Sequence, residues 1–340
     1  MSSRLKDVAA RAGVSVRTVS NVVSGSAPVA EATRVRVQAA LDELGYRPNL
    51  AARNLRAGRT GLIGLAIPEL YSPYFGELAS LLVAAAQQRS WTVVIEQTFG
   101  DPEAERRFFE GAGGRLVDGL IISPWALGPQ ELRADARSMP VVLLGERHPQ
   151  GLADRVAVDN VLAADEATTH LLQGGRRRIA AIGVQPHLRN ETARQRLEGY
   201  HRALRRAGLA FDPALERPVE ALHRQDGAQA MASLLETDVR PDAVFAFSDE
   251  LALGVLHVAH EHGLRVPEDL AIVGFDGVED ARYSHPPLTT VAPDKKQIAE
   301  RALQCLGDRI YSPAAASVPP LDIVVRHELC VRASSRPAGT

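Results

Sequence analysis

The chain has 340 residues, 45% of them hydrophobic and 24% charged, with two cysteines and a formal charge of −2. These values exclude collagen-like, low-complexity and wholly disordered chains, and two cysteines supply neither a disulfide framework nor a four-thiolate zinc site. At about 100–200 residues per domain, the length predicts two folded parts and a smaller third.

The charge is divided unevenly along the chain. Residues 1–60 hold ten Arg/Lys against four Asp/Glu, a balance of +6, and the remainder carries −8. Such asymmetry suggests a basic module for a polyanion joined to an acidic body with another task. The first residues contain no apolar signal core, and no run reaches ~18 apolar residues. The expectation is a soluble cytoplasmic protein with no membrane partner.

Leu5, Val8, Ala9 and Ala12 recur at helical spacing, and Gly13 supplies the left-handed residue that closes a helix. Ser15 offers an N-cap oxygen to a second helix from Val16, with Val19, Val22 and Val23 available for packing. Two short helices across a three-residue turn have helix-turn-helix spacing. A third helix from about Ala30 carries Val37, Ala40, Leu41 and Leu44 on one face and stops at Gly45 and Pro48.

In such a unit the start of the second helix enters the major groove. Arg17 and Asn21 share a face, and guanidinium and carboxamide suit guanine and adenine edges respectively; Val16 suits a thymine methyl. Thr18 and Ser20 are placed to hold phosphates.

Residues 47–60 follow as a hinge. Asn49 can cap a helix of about two turns, Leu50 to Ala57, too short to be stable alone. Arg53 and Arg56 are phosphate ligands, while Ala52 and Leu55 form an apolar ridge. This suits either a minor-groove wedge that orders on DNA or a plain interdomain linker.

Three segments in this order carry a resemblance: Leu5-Lys-Asp-Val-Ala-Ala-Arg-Ala-Gly-Val-Ser-Val-Arg-Thr-Val-Ser-Asn-Val-Val, Gly45-Tyr-Arg-Pro-Asn and Ile63-Gly-Leu-Ala-Ile-Pro. The chain resembles the lactose/galactose repressor family of bacterial transcription regulators from about Leu5 to about Val331. The resemblance implies a homodimer on a pseudo-palindromic double-stranded DNA operator, with Val16, Arg17 and Asn21 reading bases. It also implies paired hinge helices that insert two Leu55 side chains at a central step and kink the duplex.

From Gly61 onward apolar runs alternate with helical periods. Strands are predicted at Leu62 to Pro68, Thr92 to Gln97, Gly119 to Ser123, Val141 to Gly145, Arg178 to Gly183, Ala243 to Ser248 and Leu270 to Asp276. Helices between them mean doubly wound parallel sheets, and the length suggests two subdomains with a ligand where the strand ends face each other. The resemblance sharpens this to a periplasmic-binding-protein-like α/β body crossed near Asp159, Thr290 and Pro320. The expected organisation is an all-α headpiece at 1–46, the hinge at 47–60 and the body at 61–333. One subdomain takes 61–159 and 291–319, the other 160–290 and 320–333, and 334–340 form a disordered tail. The absence of a terminal heptad helix predicts a dimer rather than a tetramer.

Strand ends nominate the ligand contacts. Tyr74, Phe75 and Trp125 can offer flat faces to a sugar ring or a base, or serve the core. The family's effector-binding arginine and aspartate match Arg196, in a segment that begins at Thr192, and Asp276. That pair can bind vicinal hydroxyls. Ser248 stands where relatives often have Asn, Asp249 is either a contact or a helix cap, and Glu146 follows Gly145 where many relatives have an Asp-Arg pair. Leu222 replaces an aromatic of some relatives. The small-molecule effector is expected to be a sugar or sugar derivative, with a nucleobase or nucleoside as the alternative.

An enzyme or a transport binding protein on this fold competes with the regulator. GxGxxG between the first strand and helix, GxxxxGK[ST] and GxSxG are all absent, and His257-Val-Ala-His-Glu-His fits neither HExxH nor HxxEH. No cofactor and no metal is expected.

Overall fold

The computed structural model describes residues 4–24, 27–46, 59–113, 116–128, 139–146, 151, 153–186, 191–312 and 318–336. The chain divides into two units, residues 1–60 and 61–340.

In the first unit, α1 (Leu5–Ala12), α2 (Val16–Ser24) and α3 (Glu31–Glu43) surround a core of Val8, Ala9, Ala12, Val19, Val37, Ala40 and Leu41. Gly13 adopts φ +65° and ends α1, and Ser15 Oγ accepts the Thr18 N–H at 3.1 Å, capping α2. These two features set the turn between the helices. The α3 start at Ala30 has no side-chain cap.

The second unit contains two six-stranded sheets. The first sheet has the order β11-β5-β4-β3-β1-β2, with β1 Leu62–Ile67, β2 Thr92–Gln97, β3 Gly119–Ile122, β4 Val141–Leu144, β5 Asp154–Val158 and β11 Asp322–Val325, all parallel. Helices α4 (Pro73–Gln87), α5 (Pro102–Gly113) and α11 (Lys295–Tyr311) pack on it. The second sheet has the order β12-β10-β9-β8-β6-β7, with β6 Ile179–Val184, β7 Glu216–Pro218, β8 Ala243–Ala246, β9 Ala271–Phe275, β10 Thr289–Pro293 and β12 His327–Cys330. Its helices are α6 (Asn160–Gln173), α7 (Glu191–Arg206), α8 (Arg224–Leu235), α9 (Asp249–Glu261) and the short α10 (Asp280–Tyr283). The central strands are buried on both faces, which explains their continuous apolar runs. Edge strand β12 runs antiparallel to β10, a departure from the all-parallel expectation.

Three chain crossings join the subdomains, and two differ from the expected positions. The first follows β5 at Asp159, whose carboxylate accepts the Leu162 N–H and caps α6. The second comes after Pro293 rather than near Thr290, because β10 continues in the second sheet until Asp294 caps α11. The third lies after Val325 rather than near Pro320. Residues 322–325 belong to the first sheet, where Asp322 pairs with Arg155 at 2.7 Å and sets the register beside β5.

The expected tail at 334–340 is also corrected for its first residues. Ser334 and Ser335 are buried. Ser334 O accepts the Ile272 N–H and Ser334 Oγ accepts the Thr289 N–H, both at 2.8 Å, while Ser335 Oγ bonds His170 Nε2 at 2.8 Å. Ser334 thereby satisfies backbone groups at the starts of β9 and β10 that burial would otherwise leave orphaned. Residues 337–340 lie outside the described residues.

The core of the second subdomain includes Tyr200, whose hydroxyl donates to Ile179 O at 2.7 Å. Tyr200→Phe removes that donor without opening a cavity. The expected loss is about 1 kcal/mol, read as a lower urea midpoint for the body with unchanged DNA binding.

Candidate functional site

In the first unit, α2 presents Val16, 40% exposed, and Arg17, also exposed, at its N-terminal turn, and Val19 on the opposite side is fully buried. Asn21, one turn beyond Arg17, is half-buried, as are Thr18 and Ser20. Thr18 Oγ1 shares a 2.9 Å hydrogen bond with Ser15 Oγ, so part of its capacity is used in the cap. Asn49, Ala52, Arg53, Leu55 and Arg56 lie outside the described residues.

In the second unit, a cavity of about 100 Å³ opens between the two sheets. Tyr74 and Phe75 reach it from the first turn of α4 and Trp125 from the loop after β3, and the three rings pack edge to face. The Trp125 loop is held by Glu105 of α5, fully buried, whose carboxylate accepts the N–H groups of Trp125 and Leu127 at 2.7 and 2.8 Å.

Arg196 and Asp276 form the polar wall. Arg196, on α7, is 7% exposed and lies over the Phe275 ring at 3.5 Å. Its Nε donates to Asn160 Oδ1 at 2.8 Å and its Nη1 to Phe247 O, and its Nη2 stands 3.6 Å from the Asp276 carboxylate. Burial pushes the Asp276 carboxyl up to about 6, against the opposing pull of Arg196 and Lys295. Burial and the neighbouring Asp276 also raise the Tyr74 phenol above its ordinary value.

Glu146 lies on the same wall, where it accepts from Asn160 Nδ2 at 2.6 Å and from the Thr192 hydroxyl. Thus a carboxylate stands on the wall beside Gly145. Tyr74, Phe75, Trp125, Thr192, Arg196, Ser248 and Asp276 all line the cavity, as does Leu222.

Two expectations change at the end of β8. Ser248 is the helix cap: its Oγ accepts the Leu251 N–H and donates to Leu222 O, both at 3.1 Å, so the hydroxyl is engaged by the scaffold. Asp249 is fully buried behind the wall, where Oδ2 accepts the Val278 N–H at 2.9 Å. Burial and the nearby Asp276 push its carboxyl well above the usual range. It is neither cap nor cavity contact; helix rotation instead brings Glu250 to the cavity, paired with Arg224 at 2.8 Å.

Sequence reasoning missed Glu69, His223, Glu250 and Asn160. Glu69 follows the first predicted strand directly, so its position at a strand end was an available signal. His223 meets Glu69 across the cleft at 2.7 Å, a contact no local pattern announces. His257 of the histidine-rich turn pairs with Glu261 at 3.4 Å. Among the described residues no three His, Cys, Asp or Glu side chains converge as a metal site.

A helix-turn-helix unit with an exposed arginine on its second helix, in one chain with a two-sheet body that holds a cavity with one aromatic side and one polar wall, defines a ligand-responsive DNA-binding regulator. Residues 4–49 match the model of bacterial regulatory proteins of the lacI family, and residues 168–335 match that of a periplasmic binding protein-like domain. The ribose operon repressor of Escherichia coli K12 is 35% identical over 311 residues, 91% of this chain and 93% of the relative. A solved complex of the transcriptional regulator CelR with cellobiose is 32% identical with a TM-score of 0.71, covering 98% of this chain and 99% of that one. The lac repressor dimer bound to operator and the anti-inducer ONPF is 28% identical with a TM-score of 0.85, over 98% and 99% of the two chains. The chain belongs to the lacI family of bacterial regulatory proteins. It is a DNA-binding transcriptional regulator with a small-molecule effector, and not an enzyme. Among the described residues no helix is long and apolar enough to cross a membrane.

Proposed function

We propose that the protein is a cytoplasmic repressor that binds a pseudo-palindromic operator as a homodimer and changes its affinity when a sugar or sugar derivative occupies the cavity. The observation that carries the ligand class is the buried Arg196–Asp276 pair facing the rings of Tyr74, Phe75 and Trp125. A guanidinium donor beside a carboxylate acceptor matches vicinal hydroxyls, and aromatic faces match the C–H side of a sugar ring. The kinship with a ribose operon repressor and a cellobiose-bound regulator supports this reading. Val16, Arg17 and Asn21 read base edges; Thr18, Ser20, Asn49, Arg53 and Arg56 position the backbone; Ala52 and Leu55 enter the minor groove.

Ligand binding changes the closure of the two subdomains and thereby the spacing of the paired hinge segments. A coupling of about 1–3 kcal/mol changes operator affinity about 5–150-fold, enough to regulate. The test is a thermal-shift screen of sugars and nucleosides, followed by operator binding with each hit. Stabilisation by nucleosides but by no sugar would overturn the ligand class.

For DNA reading, Arg17→Ala is expected to cost about 1–3 kcal/mol and to relax base preference at one position in each half-site. In vitro selection of binding sites measures this, and an unchanged profile rejects the role.

A further inference from the structure

Asp276 is held to the cavity by two charged residues that do not line it. Its own backbone is strained: φ is +113°, a region non-glycine residues rarely occupy. Gly277 follows at φ +60°, where a Cβ would come within 2.5 Å of Ala292 Cβ, so the turn lies tight against β10. Strain of this kind persists only where the surroundings over-determine it.

The surroundings are unusually specific. Lys295, the first residue of α11, donates from Nζ to Asp276 O at 2.7 Å and to Gly277 O at 2.9 Å. The same Nζ pairs with Glu77 Oε2 at 2.7 Å, and its side chain is only 10% exposed. The other Glu77 oxygen accepts the Glu279 N–H at 2.9 Å. Glu77 stands one turn after Tyr74 on α4, and Lys295 Nζ lies 5.6 Å from the Tyr74 ring centre. Helices of the first subdomain therefore grip, through one ion pair, the turn of the second that presents Asp276.

We propose that Glu77 and Lys295 are positioning residues that act as one clamp, fixing the 276–279 turn and making orientation of the Asp276 carboxylate conditional on contact between the subdomains. The functional consequence rests on the reading of Asp276 as a ligand contact. Without the ion pair the turn relaxes from its strained conformation, and the carboxylate loses its fixed direction. With it, closing the cleft and placing the ligand's acceptor are a single event.

The test uses the full-length, ligand-free protein and amide hydrogen exchange. Glu77→Ala and Lys295→Met should each speed exchange in segment 276–280 about tenfold or more, while the amides of β8 stay as protected as before. The double variant should exchange no faster than the faster single variant, because both remove the same unit. Lys295→Arg, which keeps the charge and donors, should recover part of the protection. Should Glu77→Ala disturb folding, Glu77→Gln removes the ion pair and keeps an acceptor for the Glu279 N–H. A second readout is the Asp276 carboxyl titration followed by 13C NMR, whose midpoint should rise in Lys295→Met because a neighbouring cation is lost.

Unchanged exchange in the single variants, or effects that add in the double, would overturn the clamp. This outcome is separable from failure of the pocket reading. A retained ligand response in Asp276→Ala rejects Asp276 as a contact and leaves the exchange result standing as evidence for the clamp.

Discussion

Replacing Asp276 with alanine is expected to abolish the ligand response while leaving operator affinity in the absence of ligand unchanged. The carboxylate stands 3.6 Å from Arg196 on the wall of a mostly buried cavity, and there an ionised acceptor forms its strongest hydrogen bonds to hydroxyl donors. Removing two such bonds should weaken the ligand about 100-fold or more. Titration of the operator complex with a ligand found by thermal shift measures both halves of this expectation. A retained response rejects the assignment.

The same group sets a pH dependence whose sign follows from its displaced ionisation near pH 6. A ligand that requires the carboxylate binds less tightly as pH falls through about 6, and binding near that pH releases protons. Stability without ligand runs the other way. The folded-state value lies above the unfolded value of about 3.9. The contribution of Asp276 to stability is therefore fully present below about pH 4 and is lost as pH rises through about 6. In Asp276→Ala the stability slope between pH 4 and 6 should flatten. Calorimetric titrations in buffers of different ionisation enthalpy test the proton release, and thermal melts across pH 4–7 test the stability slope.

The second large effect is expected at the hinge. Leu55→Ala should reduce operator-specific binding about 10–100-fold and leave nonspecific binding nearly unchanged. Wedge insertion offsets a few kcal/mol of unstacking only where the bent duplex gains further contacts. Nonspecific binding is expected to rest instead on phosphate neutralisation by the arginines proposed for it, Arg53 and Arg56, which the substitution leaves in place. Gel-shift titrations on operator and on scrambled duplex separate the two terms. Equal losses on both would make residues 47–60 a linker rather than a wedge.

Much of this architecture is legible from local pattern. Gly13 and Ser15 define the turn of the headpiece because φ and capping chemistry are decided within a few residues. The central strands are recognisable because burial on both faces demands unbroken apolar runs such as Val141–Leu144. Strands at the margins escape the same reasoning. β11 is only the four residues Asp322–Val325 and β7 only the three residues Glu216–Pro218, so neither run is long enough to carry a clear period. The burial of Ser334 could not be foreseen, since its partners, Ile272 and Thr289, are backbone groups distant in sequence.

The candidate cleft divides in the same way. Arg196, Asp276, Tyr74, Phe75 and Trp125 are legible from strand ends and from resemblance, and the fold brings them to one cavity. Which carboxylates join them depends on helix rotation and on contact across the cleft. At the start of α9 Ser248 caps, Asp249 turns inward to the Val278 N–H and Glu250 reaches the cavity, three fates for three adjacent polar residues. Composition, periodicity and capping are local properties, and they suffice to specify a basic helix-turn-helix unit joined to an acidic two-sheet body. The meeting of Glu69 with His223 and the hold of Lys295 and Glu77 on the Asp276 turn arise from the three-dimensional packing alone. Those pairings join groups far apart in sequence, and their strength comes from a burial that exists only once the chain has crossed between its subdomains.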